Sequence, residues 1–176
     1  MSGHNKWAQI KHKKAITDSR RGKLWTTISR RITVESKKSA GDTASPALRT
    51  WIEKAREANM PKDTIERAVT KGVSSDSEAT EAITYEAYGP GGVAMIINTL
   101  TDSRNRTAQE IKHTLSKNGL QLASVGSASW AFTKTNDGYV PNVTIKIEDA
   151  DEEALTNLLE QFDENEDVEE VYTNAG

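Results

Sequence analysis

The apolar pattern changes period once along the chain, and that change constrains the fold more than any other feature. Through residue 69 the large apolar side chains recur at helical spacing, and from Ile83 they alternate as in a strand. In the first half, Leu24, Trp25, Ile28 and Ile32 share an arc of roughly 100° at about 100° per residue. Arg20, Lys23, Arg30, Lys37 and Lys38 cluster near the opposite side. The spacing predicts a helix over residues 20–38 with one apolar and one cationic face. Ala40-Gly41-Asp42-Thr43 breaks it, and Ser45-Pro46 supplies an N-cap and a first-turn proline for a second helix carrying Leu48, Trp51, Ile52 and Ala55 inward. A third helix is expected to open at Met60-Pro61, bury Ile65, Ala68 and Val69, and stop at Gly72 as a glycine C-cap after the basic Lys71. Three short amphipathic helices make a small bundle, and residues 73–79, rich in serine, read as a linker.

Beyond the linker, Ile83 to Tyr88 alternates, Gly89-Pro90-Gly91-Gly92 turns the chain, and Val93 to Leu100 reads as a buried strand. Thr107-Ala108-Gln109-Glu110 is a capping box predicted to start a helix that buries Ile111 and Leu115 and ends at Asn118-Gly119. Ala128, Trp130 and Phe132 alternate in one expected strand, and Val143, Ile145 and Ile147 in another. Leu155, Leu158, Leu159 and Phe162 mark an amphipathic helix, and Val168 to Tyr172 a closing strand. The expected class is α+β: an N-terminal three-helix bundle over residues 1–75, then a ferredoxin-like β-α-β-β-α-β domain over residues 80–176 with one extra strand.

Charge follows the same division. The net charge of −3 separates into 17 basic and 7 acidic residues from Met1 to Ser75, against 6 basic and 19 acidic from Asp76 to Gly176. Such asymmetry points to a polyanionic partner for the first half. There are no cysteines, which excludes disulfides, thiolate nucleophiles and thiolate-held zinc, and fits a reducing interior. Val93-Ala94-Met95-Ile96-Ile97, the longest wholly apolar run, is far short of the roughly 20 residues that span a bilayer, so no membrane contact is expected and the cytoplasm is the expected location.

Catalytic readings find little support. His4, His12 and His113 do not share a ligand spacing, so no metal is expected. The Gly89 to Gly92 turn opens a strand rather than a helix and lacks the Lys-Ser/Thr ending of a nucleotide loop. The acids from Glu148 to Glu153 sit where they favour a helix dipole. No cofactor is expected, and the chain is read as a non-enzyme. A nucleic-acid reading is stronger: Lys6, Lys11, Lys13, Lys14, Arg20, Arg21, Lys23, Arg30 and Arg31 concentrate cations within a short span, interleaved with Trp7 and His12, which can stack on bases. Trp7 is equally suited to packing into the bundle. Arg104 and Arg106, in Asp102-Ser103-Arg104-Asn105-Arg106, form a smaller basic loop that either meets an anion or fixes its own turn by local hydrogen bonds. The Val93 to Leu100 strand lacks the aromatics with which an RNA-recognition sheet stacks bases, so protein contacts or scaffolding are expected of the acidic domain.

Several stretches resemble one family. Gly3-His4-Asn5-Lys6-Trp7 with Ile10-Lys11-His12-Lys13-Lys14, Asp18 and Arg21-Gly22-Lys23 is similar to the N-terminal signature of the YebC/PmpR family. So are Ala58-Asn59-Met60-Pro61-Lys62-Asp63 with Ile65-Glu66-Arg67-Ala68, Tyr85 to Ala94, and Asp102 to Thr107. The likeness runs from residue 3 to about residue 134 and resumes near Val143, so the basic arm is expected to be mature protein rather than a presequence. It implies a helical bundle followed by two α/β domains, the last inserted within the middle one. Here Lys134 to Gly138 leads almost directly to the final strand, helix and strand, so the expected form is a short one lacking the inserted domain. The resemblance implies a DNA-binding transcriptional regulator with no enzyme activity, acting through Lys6, Lys11, His12, Lys13, Lys14, Arg21 and Lys23. Other members act at the ribosome, where they relieve stalling of elongation. The mostly Lys and Arg surface suits phosphate more than base edges, so DNA and ribosomal RNA both stand as expected partners of the first half, and a protein as a partner of the acidic second half.

Overall fold

The computed structural model describes residues 18–74, with side chains from Gly22 onward, and residues 80–135 and 138–176. Its contacts fall into two compact units, one of Ile16–Glu81 and one containing Ala82–Gly176. The α+β class is as expected: helices first, then a domain built on an antiparallel sheet.

The first unit holds α1 (Asp18–Lys38), α2 (Pro46–Glu57) and α3 (Lys62–Val73). Ile28, Ile32, Leu48, Ile52, Ala55, Met60, Ile65 and Ala68 form its core, with Trp25, Trp51 and Val69 packed at the margin. Burying each large aliphatic side chain contributes about 1.5–3 kcal/mol. Leu24, expected inward, is exposed, because it lies at the edge of the apolar arc, outside the described core of the bundle. Side-chain hydroxyls tie α1 to α3: Thr33 Oγ1 donates to the Ala68 carbonyl at 3.2 Å and Ser36 Oγ to that of Val69 at 2.7 Å. Gly72 is not the C-cap that was expected. It lies inside the last turn of α3, buried, and a Cβ there would stand 2.5 Å from the Thr33 carbonyl oxygen and 2.6 Å from Ser36 Cβ. The glycine is required by the close approach of two helices, which the chain's local pattern does not express.

The second unit runs β1 (Glu81–Tyr88), a 3₁₀ turn at Pro90–Gly92, β2 (Ala94–Thr101), α4 (Arg104–Lys117), a 3₁₀ turn at Ser129–Ala131, β3 (Phe132–Thr135), β4 (Gly138–Pro141), α5 (Asp149–Glu164) and β5 (Val168–Thr173). From β2 onward this is the expected β-α-β-β-α-β order. The sheet itself has three strands, β1-β2-β5, while β3 and β4 form a separate antiparallel hairpin. The strand reckoned as extra is therefore a direct neighbour of the central one. Met95, Ile97 and Val93 face Ile111, Leu115, Leu155, Leu158, Leu159 and Phe162 on the helix side. Ala94 and Ile96 face Ala128, Ala131 and Phe132 on the other. With both faces covered, β2 has to be apolar nearly throughout, as its sequence is.

Three local expectations are corrected. α4 begins at Arg104, ahead of the capping box, because Thr107 is turned into the interior to bond Thr101 and Asp167. Ala128 to Phe132 is a 3₁₀ turn entering β3 rather than a strand. Val143 to Ile147 forms no strand; its only ladder contact is an isolated parallel bridge between Ile145 and Ala175. Ile145 and Ile147 do pack against the core. Alternation records which side chains are buried, and it does not require that the backbone find a partner.

Candidate nucleic-acid interface

One face of the first unit is built from α1 and α3. Trp25 Nε1 donates to the Ala58 carbonyl at 3.0 Å, which seats the indole at the end of α2, just ahead of α3, and Thr33 lies against Ala68 farther along. Between these points the helices line a groove of about 510 Å³ with Trp25, Thr26, Ser29, Arg30, Thr64, Arg67 and Lys71 among its walls. Among the described residues, every charged residue of that lining is cationic. A larger groove of about 890 Å³ between α2 and α3 mixes Arg49, Arg56 and Lys62 with Glu53 and Glu66. Ion pairs Arg49–Glu53 at 3.0 Å and Lys62–Glu66 at 3.6 Å partly neutralise it. A polyanion is therefore matched by the first groove and not by the second.

Lys6, Trp7, Lys11, His12, Lys13 and Lys14 lie outside the described residues, and of Arg20 and Arg21 only the helical backbone is described. Lys23, Arg30 and Arg31 are half-buried on α1. Arg30 lines the cationic groove, while the Arg31 guanidinium stands 5.7 Å from the centre of the Trp51 ring, which Lys54 Nζ also approaches at 4.7 Å. Such cation–π contacts are worth roughly 0.5–1 kcal/mol at exposed sites. Arg31 thus has a packing role in the bundle. Arg67 and Lys71 were missed in the sequence because they belong to a different helix from the basic run, and only the pairing of α1 with α3 brings them beside Arg30.

In the second unit, Arg104 is exposed and Arg106 is held by carboxylates. Its guanidinium donates to Asp102 and to Asp167, each at 2.8 Å, with Glu110 at 3.9 Å. Asp167 is almost fully buried and also accepts the hydroxyls of Thr107 at 2.7 Å and Thr101 at 3.1 Å. Burial pushes its carboxyl pKa up, but Arg106 and the two threonines outweigh that and hold it below the ordinary aspartate value. Of the two readings of this loop, local hydrogen bonding is the one visible for Arg106.

A second buried carboxylate was not foreseen. Glu86 accepts backbone N–H groups from Gly126 at 2.7 Å, Ala128 at 2.7 Å and Ser129 at 2.9 Å. Burial pushes its pKa up, and these three donors more than reverse the shift, leaving it below the usual glutamate value. Glu86 so fixes the loop that displays Trp130, which is 60% exposed and donates from Nε1 to Tyr88 Oη at 3.1 Å. Tyr88 in turn donates to the Ser127 carbonyl. Nothing in the local sequence marks Glu86, since its partners lie some 40 residues on. Among the described residues no cluster of His, Asp and Glu could hold a metal, and no helix is long and apolar enough to cross a membrane.

A helical bundle with a cationic groove, followed by an acidic α+β unit whose sheet is covered on both faces, defines the class of protein. Residues 5–75 match the family described as "TACO1/YebC protein N-terminal domain", and residues 80–136 match "TACO1/YebC second and third domain". The chain belongs to the TACO1/YebC family. It is 52% identical to a "Probable transcriptional regulatory protein" of Fervidobacterium nodosum over 157 residues, 88% of this chain and 62% of that protein. A relative of the same name from Petrotoga mobilis is 47% identical over 98% of this chain and 70% of its own length. The chain thus spans about two thirds of these curated relatives. A third relative with that name, from Thermosipho melanesiensis, is 36% identical over 235 aligned positions, 99% of this chain and 93% of the relative. Because that span exceeds the chain's 176 residues, the relative carries a stretch within it that has no counterpart here, as the short form implies. The crystal structure of the conserved hypothetical protein Aq1575 from Aquifex aeolicus is similar with a TM-score of 0.87 and 29% identity, over 97% of this chain and 96% of that one.

Proposed function

We propose that this chain is a non-enzymatic regulator that binds DNA through its basic half, with the α1–α3 groove and the Lys-rich arm before it gripping the phosphate backbone. The observation that carries this reading is the groove lined by Arg30, Arg67 and Lys71, with no acid among its described lining residues. Its walls also present Trp25 and the hydroxyl residues Thr26, Ser29 and Thr64, groups that hydrogen-bond or pack against a sugar-phosphate chain. Contacts of this kind position a protein on nucleic acid more than they read its sequence. The relatives' shared name as transcriptional regulators supports DNA as the ligand.

The test is a salt titration of binding to a labelled DNA duplex, comparing the chain with an Arg67→Gln/Lys71→Gln variant. Each phosphate contact adds about 0.9 to the slope of log affinity against log salt, so the variant's slope is expected to be shallower by about two contacts' worth. Equal slopes would remove the groove from the interface, and a chain that shows no salt-dependent binding would overturn the reading altogether. Crosslinking in cells separates DNA from its alternative: enrichment of ribosomal RNA in place of genomic DNA would make the ribosome the partner.

A further inference from the structure

Most cations of the acidic unit lie on one helix. Residues 76–176 contain six basic residues, and four of them, Arg104, Arg106, Lys112 and Lys117, are on α4. Thr107, Ile111 and Leu115 turn that helix onto the sheet, leaving Asn105, Gln109, Lys112 and Ser116 in one exposed stripe with His113 and Lys117 beside it. No exposed position of α4 is acidic. Its one acid, half-buried Glu110, is engaged by Asn165 at 2.9 Å and lies near Arg106. The neighbouring α5 carries seven acids and no base.

A solvated helix face ordinarily mixes signs, because Glu and Lys four residues apart stabilise it by a few tenths of a kcal/mol. Beyond Arg106 and Glu110, α4 leaves that pairing out: among the described residues, neither Lys112 nor Lys117 has an ion-pair or hydrogen-bond partner for its ammonium. Arg106, by contrast, is bound within the fold. Amides and ammoniums in one stripe donate hydrogen bonds to phosphate oxygens. The acids of α5 belong to the neighbouring helix, which meets α4 through Asn118 and Gln161, and none of them is part of the α4 stripe.

We infer that the exposed face of α4 is a second DNA contact, at which Lys112, Lys117 and His113 meet phosphates flanked by the carboxamides of Asn105 and Gln109. This inference rests on the DNA-binding reading above and adds to it a surface outside the basic half. The experiment is the same salt titration on the full chain, with a Lys112→Gln/Lys117→Gln variant and a Lys146→Gln control; Lys146 is an exposed cation of the same unit but off α4. The α4 variant is expected to bind more weakly with a slope shallower by about 1.8, while the control matches the parent. Unchanged affinity and slope in the α4 variant, with the groove variant still impaired, would overturn this contact alone. An equal loss in the control would overturn it too, since the effect would then be one of net charge. A parent chain that fails to bind DNA would remove both readings. Slope loss confined to an RNA duplex of the same sequence would replace DNA as the occupant.

Discussion

The two units use charge in opposite ways. In the basic bundle the ion pairs among the described residues are short-range ones along single helices, such as Lys38–Glu35 and Arg49–Glu53. Pairs of this kind contribute little to stability. The bundle is held instead by its apolar core and by hydroxyl and indole donors that reach backbone carbonyls on another element. In the acidic unit two carboxylates are buried and structural. Glu86 fixes the loop before β3, and Asp167 joins β5's approach to β2 and α4. The charges of one unit take part in contacts along its surface, whereas part of the acidity of the other is consumed by the fold. Net charge by itself would have treated both alike.

The sharpest way to break this contrast is Glu86→Ala. It strands three backbone donors, one of them fully buried, each costing about 1–3 kcal/mol. We expect a loss of about 3 kcal/mol or more in the second unit, read by denaturant unfolding followed through Trp130. An effect no larger than that of an ordinary surface substitution would show that the carboxylate is incidental. Next in size, Gly72→Ala should destabilise the bundle by about 2 kcal/mol, since α3 must move off the Thr33 carbonyl. A variant as stable as the parent would mean the helices separate at no cost. The smallest and most gradual effect is that of pH. Glu86 and Asp167 both titrate below their ordinary values, so the stability they supply is complete above the unfolded carboxylate range of about 4 and is lost as pH falls through their lower folded values. Acid should therefore weaken the second unit first, and an unfolding midpoint that did not move on acidification below about pH 4 would contradict that assignment.

Much of the fold was legible because burial leaves a period in the sequence. The helices of the bundle, the β2 run, the α5 stripe and the closing β5 strand followed from spacing, whereas the hairpin of β3 and β4 stands where neither of the two expected middle strands was placed, apart from Phe132. The failures share a cause. Gly72 resembles a helix stop until α1 is seen against it, and Thr107 resembles a capping residue until Asp167 is placed beneath it. Ile145 and Ile147 alternate as a strand would, yet the sheet has no place for their backbone.

The candidate site divides in the same way. The basic run along α1 could be read directly, but Arg67 and Lys71 join Arg30 only because α3 packs along α1, and Arg106 is withdrawn only because Asp167 comes from more than 60 residues away. By itself the sequence determined the class of fold, the opposite charges of the chain's two halves and the helical character of the basic one, since composition and periodicity are properties of neighbouring residues. Which cations share a groove, which are bound by carboxylates and which face of α4 remains open were decided by tertiary structure, because each depends on contacts between segments whose separation along the chain carries no periodic signal.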